Sequence, residues 1–282
     1  MEDFYINSTS QDQSYDYSNI TYYYEWGIHT YNYHHYHYLT FTKIVLTYII
    51  IGVGLPLTLV AIYALYSTVR SDHVAPIYVI NLLITDLLQL CYMIVWVAPN
   101  VDETIYTIVF YIYYFAMMAS VGFMVCIALE RYLVIAHPLW YRFRLTIKTS
   151  VAVCVLVWVL SLVCIVIFYL YSGYVFTNII FIVFLLPPFP LLIFFLVGTL
   201  KALSASMSVP SDEKRRIVGI LVLVLLIYTL LYLPDIIFYL VVYDKTLDFL
   251  SFILVRLSPL ADLVLYVIMR KRAIDKLLAS VC

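Results

Sequence analysis

Four ionisable side chains stand inside runs that are otherwise apolar: Asp86 in "NLLITDLLQL", Asp235 in "LYLPDIIFYL", and Arg256 with Asp262 in "FILVRLSPLADLVLY". A charge in a low-dielectric interior is costly unless it is paired, protonated or given a counterion, so such residues mark ion or proton chemistry. Glu130 and Arg131 are neighbours in "CIALERYLVIAHPLWYRFR". There each partner neutralises the other, and such a pair can hold a helix end in one state until another molecule takes over the Arg. The plainer reading of the pair is a topology marker. A third group titrates near neutrality: His29, His34, His35 and His37, four of the 6 histidines, crowd into "HTYNYHHYHY". The unperturbed imidazole pKa of about 6.5 lets them change charge during mild acidification. No nucleophile with a matching base and no metal-ligand spacing occurs, so an enzyme is not expected.

The elements that must position these groups follow from composition. With 65% hydrophobic residues, 12% charged residues and a mean hydropathy of +0.99, 282 residues cannot hide their apolar surface in one soluble core. Lipid must cover much of it. A net charge of −1 implies no attraction to nucleic acid. Windows long enough to cross about 30 Å of hydrocarbon, roughly 20 residues each, fall at 44–66, 74–98, 105–130, 149–171, 175–200, 216–243 and 248–269. This predicts an all-α membrane protein, a bundle of seven spans with a short amphipathic C-terminal helix. The expected organisation is a Tyr/His-rich tail over 1–43, the bundle over 44–269 and an amphipathic helix or tail over 270–282.

With the N-terminus outside the cell, the inner loops and tail collect all but three of the 16 Lys and Arg residues, leaving Lys43, Lys245 and Arg256 outside. No apolar signal region precedes residue 40, so the first span itself acts as the signal. The sequons at Asn7 and Asn19 then face the compartment where glycosylation occurs. Cys91, Cys126, Cys154 and Cys164 fall inside spans, so no disulfide is expected outside the membrane. Cys282, close after "RKRAIDKLL", suits palmitoylation. Trp96, near the end of the second span, reads as an interface anchor.

Seven spans, an outside N-terminus and Glu130-Arg131-Tyr132 followed by Pro138-Leu139 resemble the rhodopsin-like (class A) G protein-coupled receptors. The resemblance extends from about residue 44 to 282. It includes "NLLITD" with Asp86, Trp158 in span four, "LYLPD" with Tyr232 and Pro234, and "DLVLY" with Asp262 and Tyr266. It implies that Arg131 is freed on activation to meet a heterotrimeric G protein and that Leu139 packs into a pocket of that partner. Tyr232, Pro234 and Tyr266 would belong to the switch. Asp86, Ser120, Ser258 and Asp262 fall where the family has its sodium pocket, holding an allosteric Na+ or a shared proton and otherwise no cofactor. Asp235 and Arg256, on neighbouring helices in the family, are expected to pair across the mouth of the ligand pocket.

Several positions depart from the family pattern. Thr58 stands where Asn is usual, Leu263 replaces the Pro of span seven, Phe195 replaces a Tyr, and the outer Cys near Tyr106 is missing. The apolar spans resemble most the branch with proton-sensing and lysolipid receptors. In that reading the histidines, near Glu25, Asp102, Glu103, Asp244 and Asp248, gain charge and pull the outer helix ends together as pH falls. An unstructured tail and transient metal binding by His34, His35 and His37 are the alternatives for that stretch. Tyr15 and Tyr17 beside Asp16 fit sulfation and keep a peptide ligand open, as a lysolipid is. A seven-span ion transporter or channel, with Asp86, Asp235, Arg256 and Asp262 lining an ion path, is the rival of another class. The expected location is the plasma membrane.

Overall fold

The computed structural model describes residues 17–69, 77–137, 147–170, 174–205, 211–240 and 245–281, with side chains described over 38–65, 77–137, 147–170, 179–204, 217–238, 240 and 247–269. The side chains of Asn7, Asn19, His29, His34, His35, His37, Pro138, Leu139 and Cys282 lie outside the described residues.

Every element among the described residues is helical: α1 (Tyr17–Val69), α2 (Ile77–Val97), α3 (Glu103–Ala136), α4 (Ile147–Leu170), α5 (Tyr174–Leu185), α6 (Pro188–Ala205), α7 (Ser211–Leu240), α8 (Lys245–Arg256) and α9 (Ser258–Val281). Six stretches are long and apolar enough to cross a membrane: Tyr38–Leu65, Ile77–Val97, Glu103–Ala136, Ile147–Leu170, Ile179–Ser204 and Ile217–Phe238. A seventh crossing comes from Leu247–Arg256 and Ser258–Met269, which meet at a 42° bend. The chain is thus a multi-pass, all-α, seven-span membrane protein. Two compact units are distinguished, one ending at Thr42 and the other beginning at Lys43. In the first, Thr42 Oγ1 donates to the Tyr38 carbonyl at 2.9 Å. The core lies within the second.

The hub is α3, which packs against α2, α4, α6 and α7. Of its apolar window 67% is buried, against 22% for α4, which therefore faces lipid over most of its surface. Small residues at Ala116, Ala119, Ser120, Gly122 and Ala128 let neighbouring backbones approach. At Gly122 a Cβ would lie 2.7 Å from Val157 Cγ1 of α4, so only glycine fits without a shift. The turn before α3 carries Asn100 at φ 56°, a left-handed conformation that Asn tolerates. Asp102 then caps α3 by accepting from the Thr104 N–H at 2.8 Å. Those backbone bonds hold its carboxyl below the ordinary 3.8.

Prolines shape two crossings. Pro187 and Pro188 break α5 from α6, since neither can donate to the ladder. The Phe189 N–H bonds one residue short, to Leu186 O at 3.3 Å, which leaves the Leu185 carbonyl without its helical partner. The Tyr228 hydroxyl of α7 supplies the missing donor. In the seventh crossing Pro259 stands one turn before Leu263, the position expected to have lost its proline. The bend is retained and displaced: the Leu260 and Ala261 N–H groups both turn to the Leu257 carbonyl at 3.1 Å. Beyond residue 269 the backbone of α9 runs on as helix to Val281, so the expected C-terminal helix is its continuation.

Candidate functional site

Asp86 of α2 and Asp262 of α9 are both fully buried, at 0% exposure, and are near enough for each charge to act on the other. Neither carboxylate can donate to the other unless one is protonated. Ser120 of α3 donates to Asp262 Oδ2 at a long 3.4 Å. Among the described residues, Asp86 Oδ1, Asp86 Oδ2 and Asp262 Oδ1 find no donor. Of the residues expected to form this pocket, the structure thus brings together Asp86, Ser120 and Asp262. Ser258 is buried nearby and is spent elsewhere: its hydroxyl donates to Gln89 Oε1 at 3.0 Å.

Gln89 is a member that sequence reading passed over. It is fully buried and its Nε2 lacks an acceptor. Its signal was available: it lies three residues after Asp86, on the same helix face, in an otherwise apolar run. The buried Tyr232 phenol completes the set, close to Ser120 and Asp262 but without a hydrogen bond. Tyr228 packs on its ring, with centroids 5.2 Å apart, so the cluster is linked through α7 to the α5–α6 break. Thr58 of α1 is buried with its hydroxyl unpartnered.

Beside this cluster, Trp158 Nε1 donates to Asn81 Oδ1 at 3.0 Å, while Asn81 Nδ2 donates to the Ile77 carbonyl at 2.9 Å. This bond fixes α4 to α2. At the far end of α3, Arg131 Nη2 meets Glu130 Oε1 at 3.4 Å, and Arg131 Nε has no acceptor. Tyr132 turns away from this pair and stacks on Phe195 of α6, with centroids 5.7 Å apart. Gly198 makes room for that ring, since a Cβ there would lie 2.6 Å from Tyr132 Cε2. Pro234 lies within α7 and Tyr266 is buried in α9.

One sequence expectation needs correction: among the described residues Asp235 and Arg256 form no ion pair. The Arg256 guanidinium sits instead in the corner between the rings of Phe252, at 3.9 Å, and Trp96, at 4.0 Å. The reason is geometric: aromatic faces of α2 and α8 reach the cation, and a carboxylate does not. Trp96, expected as an interface anchor, also packs on this buried cation. Asp248, named among the acids for histidine pairing, is engaged by Lys43 Nζ at 2.9 Å. Asp102, named with it, is the helix cap.

A polar cluster between α2, α3 and α9 of the bundle, with Glu-Arg-Tyr closing the third span, resembles the rhodopsin-like seven-transmembrane receptors, and the comparisons with known proteins point the same way. Residues 57–178 match the family model described as "7 transmembrane receptor (rhodopsin family)". Over 114 residues, 38% of this chain, it is 31% identical to "G-protein coupled receptor 68" of Mus musculus, covering 31% of that protein. It is 29% identical over 135 residues to "Mas-related G-protein coupled receptor member X1" of Homo sapiens, 47% of this chain and 42% of the relative. With "Type-1 angiotensin II receptor" of Oryctolagus cuniculus it shares 28% identity over 120 residues, 40% of this chain and 33% of the relative. In each case the match spans less than half the length of the relative.

Proposed function

We propose that the chain is a plasma-membrane receptor with its N-terminus outside the cell, passing an extracellular signal to a heterotrimeric G protein. The observation that carries this reading is the buried Asp86–Asp262 pair, whose oxygens outnumber the donors around them. Two carboxylates so placed require a neutralising occupant, and the helices around them pack differently with and without it. The oxygen set fits a sodium ion, held by Asp86 Oδ1 and Oδ2, Asp262 Oδ1 and Ser120 Oγ. Its charge would cancel the repulsion that otherwise drives α2 and α9 apart. Loss of the occupant shifts α9 and, through Tyr232, α7, whose Pro234 supplies a hinge. At the inner end Arg131, 3.4 Å from Glu130, is released to the G protein, with Pro138 and Leu139 in the adjoining loop. Asn7 and Asn19 carry glycans, and Cys282 an acyl chain, in this arrangement.

The stimulus proposed first is extracellular acidification, sensed by His29, His34, His35 and His37. Second-messenger output is recorded from cells expressing the full chain while external pH is stepped from about 8 to 6, the range over which imidazole titrates. The chain should respond, the quadruple His-to-Phe tail should respond less, and Arg131→Ala should abolish the signal. A flat output removes proton sensing; a response that survives Arg131→Ala removes the coupling role of that residue.

A further inference from the structure

A buried guanidinium without a carboxylate is the least explained charge in the bundle. Arg256 keeps 5% of its surface, yet among the described residues it forms no ion pair and only one hydrogen bond, from Nη1 to Thr47 Oγ1 at 3.2 Å. The rings of Phe252 at 3.9 Å and Trp96 at 4.0 Å form a corner against the cation, with Tyr92 at 5.6 Å beyond, and their own centroids lie 5.3 Å apart. Most of the guanidinium N–H groups are left without an acceptor among the described residues. Arg carries five N–H groups in a planar fork, and the edge of that fork matches the two oxygens of a carboxylate or phosphate. Tyr92 stacks on Tyr113 beside the cation, with centroids 4.4 Å apart, and each phenol brings a hydroxyl donor. Asp248 is engaged elsewhere, by Lys43.

A buried cation set against two aromatic rings, with no carboxylate partner among the described residues, suits an anion supplied from outside the protein. The aromatic walls of Tyr92, Trp96, Phe252 and Tyr113 suit an apolar body attached to that anion. We infer that Arg256 anchors the anionic head group, carboxylate or phosphate, of a small amphiphilic ligand in the half of the bundle where α3 begins. The inference rests on the receptor reading for what binding triggers, and not for whether binding occurs. Contact with the Trp96 and Phe252 rings restrains the guanidinium before the ligand arrives, so little side-chain freedom is lost on binding.

The test is direct binding to the purified full chain in phosphatidylcholine nanodiscs, with no G protein present, so that a failure of coupling cannot be mistaken for a failure of binding. The probes are oleate, oleoyl lysophosphatidate, uncharged monoolein and inorganic phosphate. At least one anionic amphiphile should bind saturably, and which one binds tells carboxylate from phosphate; monoolein and inorganic phosphate alone should not. Arg256→Gln, which retains a donor for Thr47, should weaken the Kd by about 10- to 100-fold, the worth of a hydrogen bond to a charged group. Arg256→Lys keeps the charge without the fork and should fall between the two, giving a reading if the Gln variant fails to fold. Equal binding of monoolein, no saturable binding of either anionic probe, or unchanged affinity in both variants would overturn the inference.

Discussion

Replacing Asp86 by Asn tests whether the buried carboxylate pair is an uncompensated charge or a satisfied polar core. In the native arrangement Asp86 accepts no hydrogen bond, and Asp262 accepts one from Ser120 at 3.4 Å. The Asn side chain is nearly isosteric, removes one of two like charges and offers Asp262 an amide donor. A hydrogen bond to a charged group contributes about 1.5 to 3 kcal/mol. At about 2–4 °C per kcal/mol for a domain of this size class, Asp86→Asn should raise Tm by about 3 to 12 °C in a sodium-free choline buffer. Asp86→Ala removes the charge but supplies no donor, so its gain should be smaller. The assay is thermal unfolding of the purified chain in choline chloride and in sodium chloride at equal ionic strength. The native chain should be more stable in sodium; Asp86→Asn should show no difference between the salts. The double variant Asp86→Asn with Asp262→Asn should depart from additivity, because the two residues share one interaction. A lowered Tm for Asp86→Asn in choline, or a sodium response that persists in that variant, would refute the account of the pair.

Gly198→Ala places a methyl group 2.6 Å from the Tyr132 ring and should cost about 1–3 kcal/mol by overpacking; Gly219→Ala meets nothing within 4 Å and should stabilise α7 by about 0.5–1 kcal/mol, both read as Tm. Tyr228→Phe leaves the Leu185 carbonyl without a donor and should cost about 1–3 kcal/mol, with faster amide exchange localised to the α5–α6 break. Asp102 contributes its cap while ionised, and its carboxyl is held below 3.8, so that contribution is present above the ordinary value and is lost only as pH falls through the lowered one. Asp102→Asn should therefore leave any response to a step from about pH 8 to 6 unchanged, since that is the histidine range, and a lost response would make Asp102 part of the sensor.

The groups that could be read in advance are those whose cost is visible without neighbours. Asp86 and Asp262 stand out because any carboxylate in a lipid-length apolar run needs an explanation, and Glu130-Arg131 because two charges at a span end neutralise each other. The seven crossings follow from length and apolarity alone. Partners are another matter. Arg256 was matched with Asp235 because opposite charge is the partner a sequence makes conspicuous, whereas the rings that hold it, Trp96 and Phe252, look like ordinary apolar filling until α2 and α8 are seen side by side. Gln89 was overlooked for the converse reason: a neutral amide raises no alarm, although burying its unpaired Nε2 is also costly.

The seventh crossing ties the two kinds of residue together. A proline acts on the carbonyl one turn before it, so the bend belongs to wherever the missing N–H falls and not to a fixed motif position. With Leu263 in place of the usual proline and Pro259 one turn earlier, the helix breaks at Leu257, between Arg256 and Ser258. Arg256 therefore closes one helical segment and Asp262 sits in the first turns of the next. The 42° bend allows the cation to lean against the α2 aromatics while the carboxylate faces Asp86 of the same helix. A straight helix would rotate one of the two away from α2, because six residues advance by about 600° at 3.6 residues per turn, leaving the side chains about 120° apart around the axis. The displaced proline is thus what lets a single partner helix, α2, contact both the Arg256 cation and the buried acid pair.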